Sequence, residues 1–99
     1  MGYHLRPMSD QGVDPVLLSL REEIAAADRD LVAAFARRLQ AAARIRSHKQ
    51  ERGYALVDPE REQQLLATWR EANDGTVSDE ALLELYEIVL TLSKRESAR

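Results

Sequence analysis

The feature that most constrains the fold is an apolar stripe that runs uninterrupted through the first half of the chain. It begins after Asp14-Pro15, where an N-cap acceptor precedes a proline at the first helical position, and it ends near Gly53, a typical helix stop. Its steps of three and four residues predict one helix. The stripe consists of Leu17, Leu20, Ile24, Ala27, Leu31, Ala34, Phe35, Leu39, Ala42 and Ile45.

This helix is too long for a compact monomer. About 37 residues at the α-helical rise span about 55 Å. A globular chain of 99 residues has a radius of gyration near 13 Å, and therefore a diameter of only about 33 Å. We expect a second copy of the chain to pack along the helix.

Two shorter helices follow. Asp58-Pro59 predicts the start of the second helix, which ends near Asn73-Asp74-Gly75, and Ser78 predicts the start of the third. The predicted inner faces carry Leu65, Leu66 and Trp69, and then Leu82, Leu85, Tyr86, Val89, Leu92 and Ser93. The prediction is an all-α chain of three helices, with residues 1–13 as a flexible lead and residues 14–99 as one helical domain.

The composition fits this fold class and excludes several functions. The chain is 44% hydrophobic and only 5% aromatic, as in water-soluble helical proteins. With 14 Lys and Arg against 17 Asp and Glu, the net charge of −3 predicts no general attraction for nucleic acid or for an anionic membrane. The chain has no cysteine, no apolar run of membrane-spanning length and no signal-peptide core at its start, so we expect a cytoplasmic protein.

Two cations lie on the apolar side of the long helix. Lys49 follows Arg38 by eleven residues, which places the two within about 20° of each other and about 16 Å apart along the axis. Long side chains leaning together across that distance leave room for a small dicarboxylate. A structural alternative is that Arg38 pairs with Glu62 or another acid, or extends its head group to solvent.

Other polar residues are weaker candidates. Arg21 lies about 25 Å before Arg38 on the same helix, so it reaches the same ligand only from a neighbouring subunit; a surface ion pair with Glu22 or Glu23 is the alternative. Asp58 and Glu62 share a face, as do Ser93 and Ser97. Asp58 serves as an N-cap, whereas Glu62 has no structural role and is free to accept a ligand hydroxyl or to hold Lys49.

No other chemistry has comparable support in the sequence. His4 and His48 lack partners at metal-ligand spacing, so we predict no metal site. The chain has no nucleotide-binding or nucleophile motif. The cations Arg44, Arg46, Lys49 and Arg52 lack the aromatic side chains on which bases stack, so nucleic-acid binding is not expected.

Four segments together resemble the all-α, AroQ-class chorismate mutases. They read LLSLREEIAAADRDLVAAFARR, RIRSHK, DPEREQQLL and LYEIVLTLS, within residues 16–97. The resemblance implies an intertwined homodimer of three-helix chains that converts chorismate to prephenate without metal or cofactor. It also implies that each site borrows an arginine, here Arg21, from the partner chain.

The resemblance assigns roles to individual residues. Arg38 and the partner's Arg21 would clamp the carboxylates with help from Ser93, and Lys49 would contact the ether oxygen. The ring hydroxyl would be received by Glu62 and Asp58, with Arg61 along the same edge.

One position departs from the family pattern. Where the family has Gln or Glu one turn after the serine of the third helix, this chain has Ser97, or Glu96 after a one-residue shift. The alternatives on the same fold are therefore a 4-amino-4-deoxychorismate mutase and an isochorismate pyruvate lyase. Outside enzymes, the alternative is a helical dimerisation module.

Overall fold

The computed structural model describes residues 13–99, and this part of the chain contains three α-helices and no strand. They are α1 (Pro15–Arg52), α2 (Pro59–Ala72) and α3 (Asp79–Ser97). The predicted all-α class and the three-helix order are confirmed. Apart from Val13, the predicted lead lies outside the described residues, and so does His4.

Both ends of α1 follow from the residues predicted to set them. The Asp14 carboxylate accepts hydrogen bonds from the N–H groups of Val16 at 2.9 Å and Leu17 at 3.2 Å. At the other end Gly53 has φ +70°, and the N–H of Tyr54 reaches back to the carbonyl of Lys49 at 2.9 Å. This arrangement is a Schellman motif, in which glycine provides the left-handed turn that other residues adopt at a cost.

The connection between α2 and α3 is a hydrogen-bonded turn. The Asn73 side chain donates to the Val77 carbonyl at 2.8 Å and accepts from the Gly75 N–H at 3.2 Å. Hydrogen bonds from the side chain and the backbone N–H of Thr76 hold the pKa of the Asp74 carboxyl below its usual value. The Ser78 hydroxyl then caps α3, as predicted.

The helices α2 and α3 pack against each other around two side chains of α3, Leu82 and Tyr86, which are only 7% and 6% exposed. The Tyr86 ring meets Trp69 of α2 edge to face, with centroids 5.4 Å apart, and its hydroxyl donates to the carbonyl of Glu62 at 2.8 Å. This internal hydrogen bond replaces the bonds to water that the Tyr86 hydroxyl loses on burial and so offsets the cost of its desolvation.

The chain divides after Ala36 into two compact units, and α1 contributes to both. Within the first unit, much of the apolar stripe is exposed: Leu20 is 50%, Ile24 63% and Leu31 64% exposed. Leu17 and Phe35 are half-buried. The predicted long helix is thus confirmed, and most of its apolar stripe within the first unit is exposed.

None of the three helices of residues 13–99 combines the length and the apolar character that crossing a bilayer requires.

Candidate functional site

A side-chain hydrogen bond between α1 and α3 joins Arg38 to Ser93. Arg38 is half-buried, and its guanidinium Nη1 donates a hydrogen bond to the hydroxyl oxygen of Ser93, which is only 4% exposed. The hydroxyl is neutral, so this bond orients Arg38 without neutralising it. Within residues 13–99 Arg38 forms no ion pair with a carboxylate, which corrects the structural alternative that it pairs with Glu62.

Glu62 is held by α3 at two points. Its carboxylate forms an ion pair with Lys94, with Nζ and Oε1 2.9 Å apart, and its backbone carbonyl accepts the hydrogen bond from Tyr86. The predicted alternative, in which Glu62 holds Lys49, is not what the structure shows. The Glu62 side chain is 32% exposed, and no hydrogen bond or ion pair of residues 13–99 uses its second oxygen, Oε2, so that oxygen is available to a ligand.

Lys49 lies in the last turn of α1 and is half-buried. Its carbonyl is fixed by the Schellman motif, and its ammonium lies 3.5 Å from the carbonyl oxygen of Leu56 in the following loop. No carboxylate of the described residues comes within ion-pair distance of this ammonium. A charge held by one long hydrogen bond is available to a ligand at little energetic cost.

The start of α2 carries Asp58 and Arg61. The Asp58 carboxylate accepts from the backbone N–H of Arg61 at 3.2 Å, which confirms Asp58 as the N-cap. The Arg61 guanidinium lies 3.5 Å from the side-chain oxygen of Gln64, and both Asp58 and Arg61 are exposed. The capping role accounts for Asp58 without any ligand, whereas Arg61 remains a surface cation beside Glu62.

The end of α3 contains the position at which the chain departs from the family pattern. The Ser97 hydroxyl lies 3.5 Å from the carbonyl oxygen of Lys94, and the Glu96 carboxylate pairs with Arg95 at 3.2 Å and Arg99 at 3.3 Å. Ser97 and Glu96 are both half-buried. The Glu96 carboxylate is thus occupied by two ion pairs, whereas Ser97 makes only one long hydrogen bond.

Arg21 belongs to the first unit of the chain and is exposed there. The predicted alternative, a surface ion pair with Glu22 or Glu23, is wrong: Glu22 pairs with Arg29 at 2.8 Å, and Glu23 forms no ion pair within residues 13–99. Within the described residues Arg21 forms neither a hydrogen bond nor an ion pair, so its charge is unused in the single chain.

Two residues at the site were not singled out from the sequence. Lys94 was not predicted as the partner of Glu62, and Tyr86 was predicted only as an apolar position of α3. The only sequence signal for Lys94 is its place directly after Ser93, and the spacing of residues along the chain does not show which side chain of another helix it meets.

Arg46 is a third half-buried cation on α1, beside Arg38 and Lys49.

Open grooves of about 420 to 500 Å³ lie elsewhere on the described surface, and Arg38, Lys49 and Glu62 do not line the three with the best-defined walls. One groove lies between α2 and α3 beside Trp69 and Leu82. No group of acidic or histidine side chains in residues 13–99 has the geometry of a metal site. The candidate site is therefore defined by its polar contacts and not by these grooves.

These features describe a three-helix, all-α chain with half-buried cations on its long helix. One of them, Arg38, donates to Ser93 of α3, and Glu62 of α2 is paired with Lys94, also of α3. The family model of chorismate mutase type II matches residues 20–98, which include α2, α3 and all but the first turn and a half of α1. The chain therefore belongs to the chorismate mutase type II family. Comparison with curated proteins and with solved structures found no match.

Proposed function

We propose that this chain is a chorismate mutase that rearranges chorismate to prephenate. The observation that carries the proposal is the state of Arg38, which is half-buried and oriented by Ser93 but has no carboxylate partner within the described residues. A partly desolvated cation without a counter-charge is stabilised by an anionic ligand. Membership of the family supports a dicarboxylate as that ligand.

The reaction makes modest chemical demands on the protein. It is a unimolecular Claisen rearrangement, in which a carbon–carbon bond forms while the ether carbon–oxygen bond breaks, with no proton transfer. The protein must hold the flexible substrate in its compact diaxial, chair-like conformer and stabilise the negative charge that develops on the ether oxygen. Fixed cations perform both tasks.

In this proposal each site residue contacts a particular group of the substrate. Arg38, held by Ser93, binds a substrate carboxylate, and Lys49 donates to the ether oxygen and to a carboxylate. Glu62 receives the ring hydroxyl near Asp58, with Arg61 along the same edge. Ser97 stands where the family has a second donor to the ether oxygen, and its short side chain reaches that oxygen only through water.

The active form in this proposal is an intertwined homodimer, and Arg21 is supplied to each site by the partner chain. Two observations support it. Leu20, Ile24 and Leu31 leave half or more of their surfaces exposed on one stripe of α1, although side chains of this kind gain about 2 kcal/mol each from burial. Arg21 is exposed and unpaired within the described chain, as expected of a cation that acts on another subunit.

The proposal is tested by adding chorismate to the purified protein without cofactor. We expect the ultraviolet absorbance of the diene to decline and prephenate to be identified as the product. Lys49→Met should lower kcat/KM by about a hundredfold or more, because it removes the donor to the developing oxyanion. The matched control is Arg52→Met, which removes an exposed cation three residues further along α1 and should leave kcat/KM unchanged.

The other outcomes separate the alternatives. Consumption of isochorismate or of 4-amino-4-deoxychorismate while chorismate is untouched would replace the proposed reaction by one of its relatives. If none of the three compounds is consumed, the enzymatic proposal is wrong and a helical dimerisation module is the remaining function.

A further inference from the structure

We infer that Lys94 determines which substrate this site accepts, because it neutralises Glu62 and so favours a ring hydroxyl over a ring ammonium. The inference rests on the proposed function, in which Glu62 receives the substituent at that ring position. It adds a specificity-determining residue and assigns the substrate class as a hydroxyl-bearing dicarboxylate.

The contacts of Glu62 make Lys94 its positioning residue. The Lys94 ammonium lies 2.9 Å from Oε1 of Glu62, and the Tyr86 hydroxyl holds the backbone carbonyl of the same residue at 2.8 Å. Both contacts come from α3, so the carboxylate is fixed relative to that helix. The Lys94 side chain is 56% exposed, and its loss would leave the buried core of α2 and α3 intact.

The position of Lys94 in α3 ties the pair to the rest of the site. Lys94 directly follows Ser93, which accepts the hydrogen bond from Arg38. Neighbouring Cα atoms are about 3.8 Å apart, so the residue that orients the carboxylate-binding arginine and the residue that neutralises Glu62 are held in one rigid turn. The Lys94 charge is therefore close to any ligand that bridges Arg38 and Glu62.

Electrostatics then distinguishes the two kinds of substrate. A hydroxyl donates one hydrogen bond to the open side of the Glu62 carboxylate and brings no charge. An ammonium at the same place shares the carboxylate with the Lys94 ammonium, at a separation of about 4 Å, where like charges repel enough to lower binding about fivefold even in water and further where water is excluded. An unpaired carboxylate would instead favour the ammonium through a charge-assisted hydrogen bond.

The test compares kcat/KM for chorismate with kcat/KM for 4-amino-4-deoxychorismate in four proteins: the wild type, Lys94→Met, Lys94→Arg and Arg95→Met. Arg95 is the matched control, since it is an exposed cation on the next position of α3 that pairs with Glu96 and not with Glu62. Thermal melts of each variant establish that the fold is retained.

We expect the wild type to prefer chorismate and Lys94→Met to reduce that preference by about fivefold to tenfold. Lys94→Arg should restore the preference because it restores the charge, and Arg95→Met should not change it. An unchanged preference in Lys94→Met, or an arginine variant that behaves like the methionine variant, would overturn the inference while chorismate turnover leaves the proposed function standing. If the wild type converts neither compound, the proposed function itself is wrong and the inference falls with it.

Discussion

Two regions of this chain carry similar helical apolar patterns and bury them very differently. In the α2–α3 pair, Leu82 and Tyr86 are less than 10% exposed, and the tyrosine hydroxyl has a partner. In the first half of α1, Ile24 and Leu31 are more than 60% exposed. The α2–α3 pair buries two side chains of its pattern, although Leu85 of α3 remains 44% exposed, whereas most of the α1 stripe within the first unit is exposed.

The difference teaches that the stabilities of the two regions have different sources. The α2–α3 pair should depend on its own packing, and its contacts fix Ser93, Lys94 and Glu62 in place. The first half of α1 should depend on a second copy, and so should the use of Arg21. Substitutions in the two regions should therefore have different consequences for assembly and activity.

The largest effect is expected from Leu31→Asp. A carboxylate on the exposed stripe would be buried without a partner in the proposed dimer, at a cost of several kcal/mol, so the dimer dissociation constant should rise by about a hundredfold or more. Mutase activity should fall with it, because each site needs the second chain. Sedimentation equilibrium and chorismate turnover measure the two consequences.

The control for that substitution is Ala33→Asp, which places the same charge on the opposite face of α1 two residues away. It should leave the assembly intact. A wild-type chain that sediments as a stable monomer of about 11 kDa at micromolar concentration would contradict the intertwined fold, and equal effects of the two aspartates would show that the apolar stripe is not the interface.

An intermediate effect is expected from Leu82→Ala in the α2–α3 pair. Removing a leucine side chain that is 7% exposed leaves a cavity, and the free energy of unfolding should fall by about 2–3 kcal/mol. Urea denaturation measures this change. Glu84→Ala, on the exposed side of the same helix, should change the free energy of unfolding by less than about 0.5 kcal/mol; similar losses for both would mean that Leu82 is not part of a packed core.

The smallest effect is expected from Tyr86→Phe. The substitution keeps the ring against Trp69 and removes only the hydroxyl that donates to the Glu62 carbonyl, so the free energy of unfolding should fall by about 1 kcal/mol. Denaturant titration is again the measurement. An unchanged or increased stability would show that the hydrogen bond does not hold α2 against α3.

The sequence predicts the helices well because their signals are local. Asp14-Pro15, Gly53, Asp58-Pro59 and Ser78 set the helix ends through caps and backbone conformation, each involving residues at most five positions apart. Helical periodicity also predicts that Arg38 and Lys49 lie on one face of α1, and both residues are half-buried.

The pairing of side chains between helices is not a local property, and there the sequence analysis is less successful. The sequence offers Lys49 as a protein partner of Glu62, whereas Glu62 pairs with Lys94, 32 residues further along the chain; its role toward a ligand stays a prediction. Helical periodicity gives the face on which a residue lies but not which partner of the right charge it meets. The roles of Arg21 and Ser97 depend on a second chain and a substrate, so they stay predictions.

The most direct test of the central claim, that the site is completed by a second copy, mixes two inactive variants. Arg21→Ala and Arg38→Ala should each be nearly inactive alone, because every site in either homodimer lacks one arginine. After subunit exchange, half of the dimers are mixed and each contains one intact site, so the mixture should regain about a quarter of wild-type activity. A mixture no more active than its separate components would contradict the shared site.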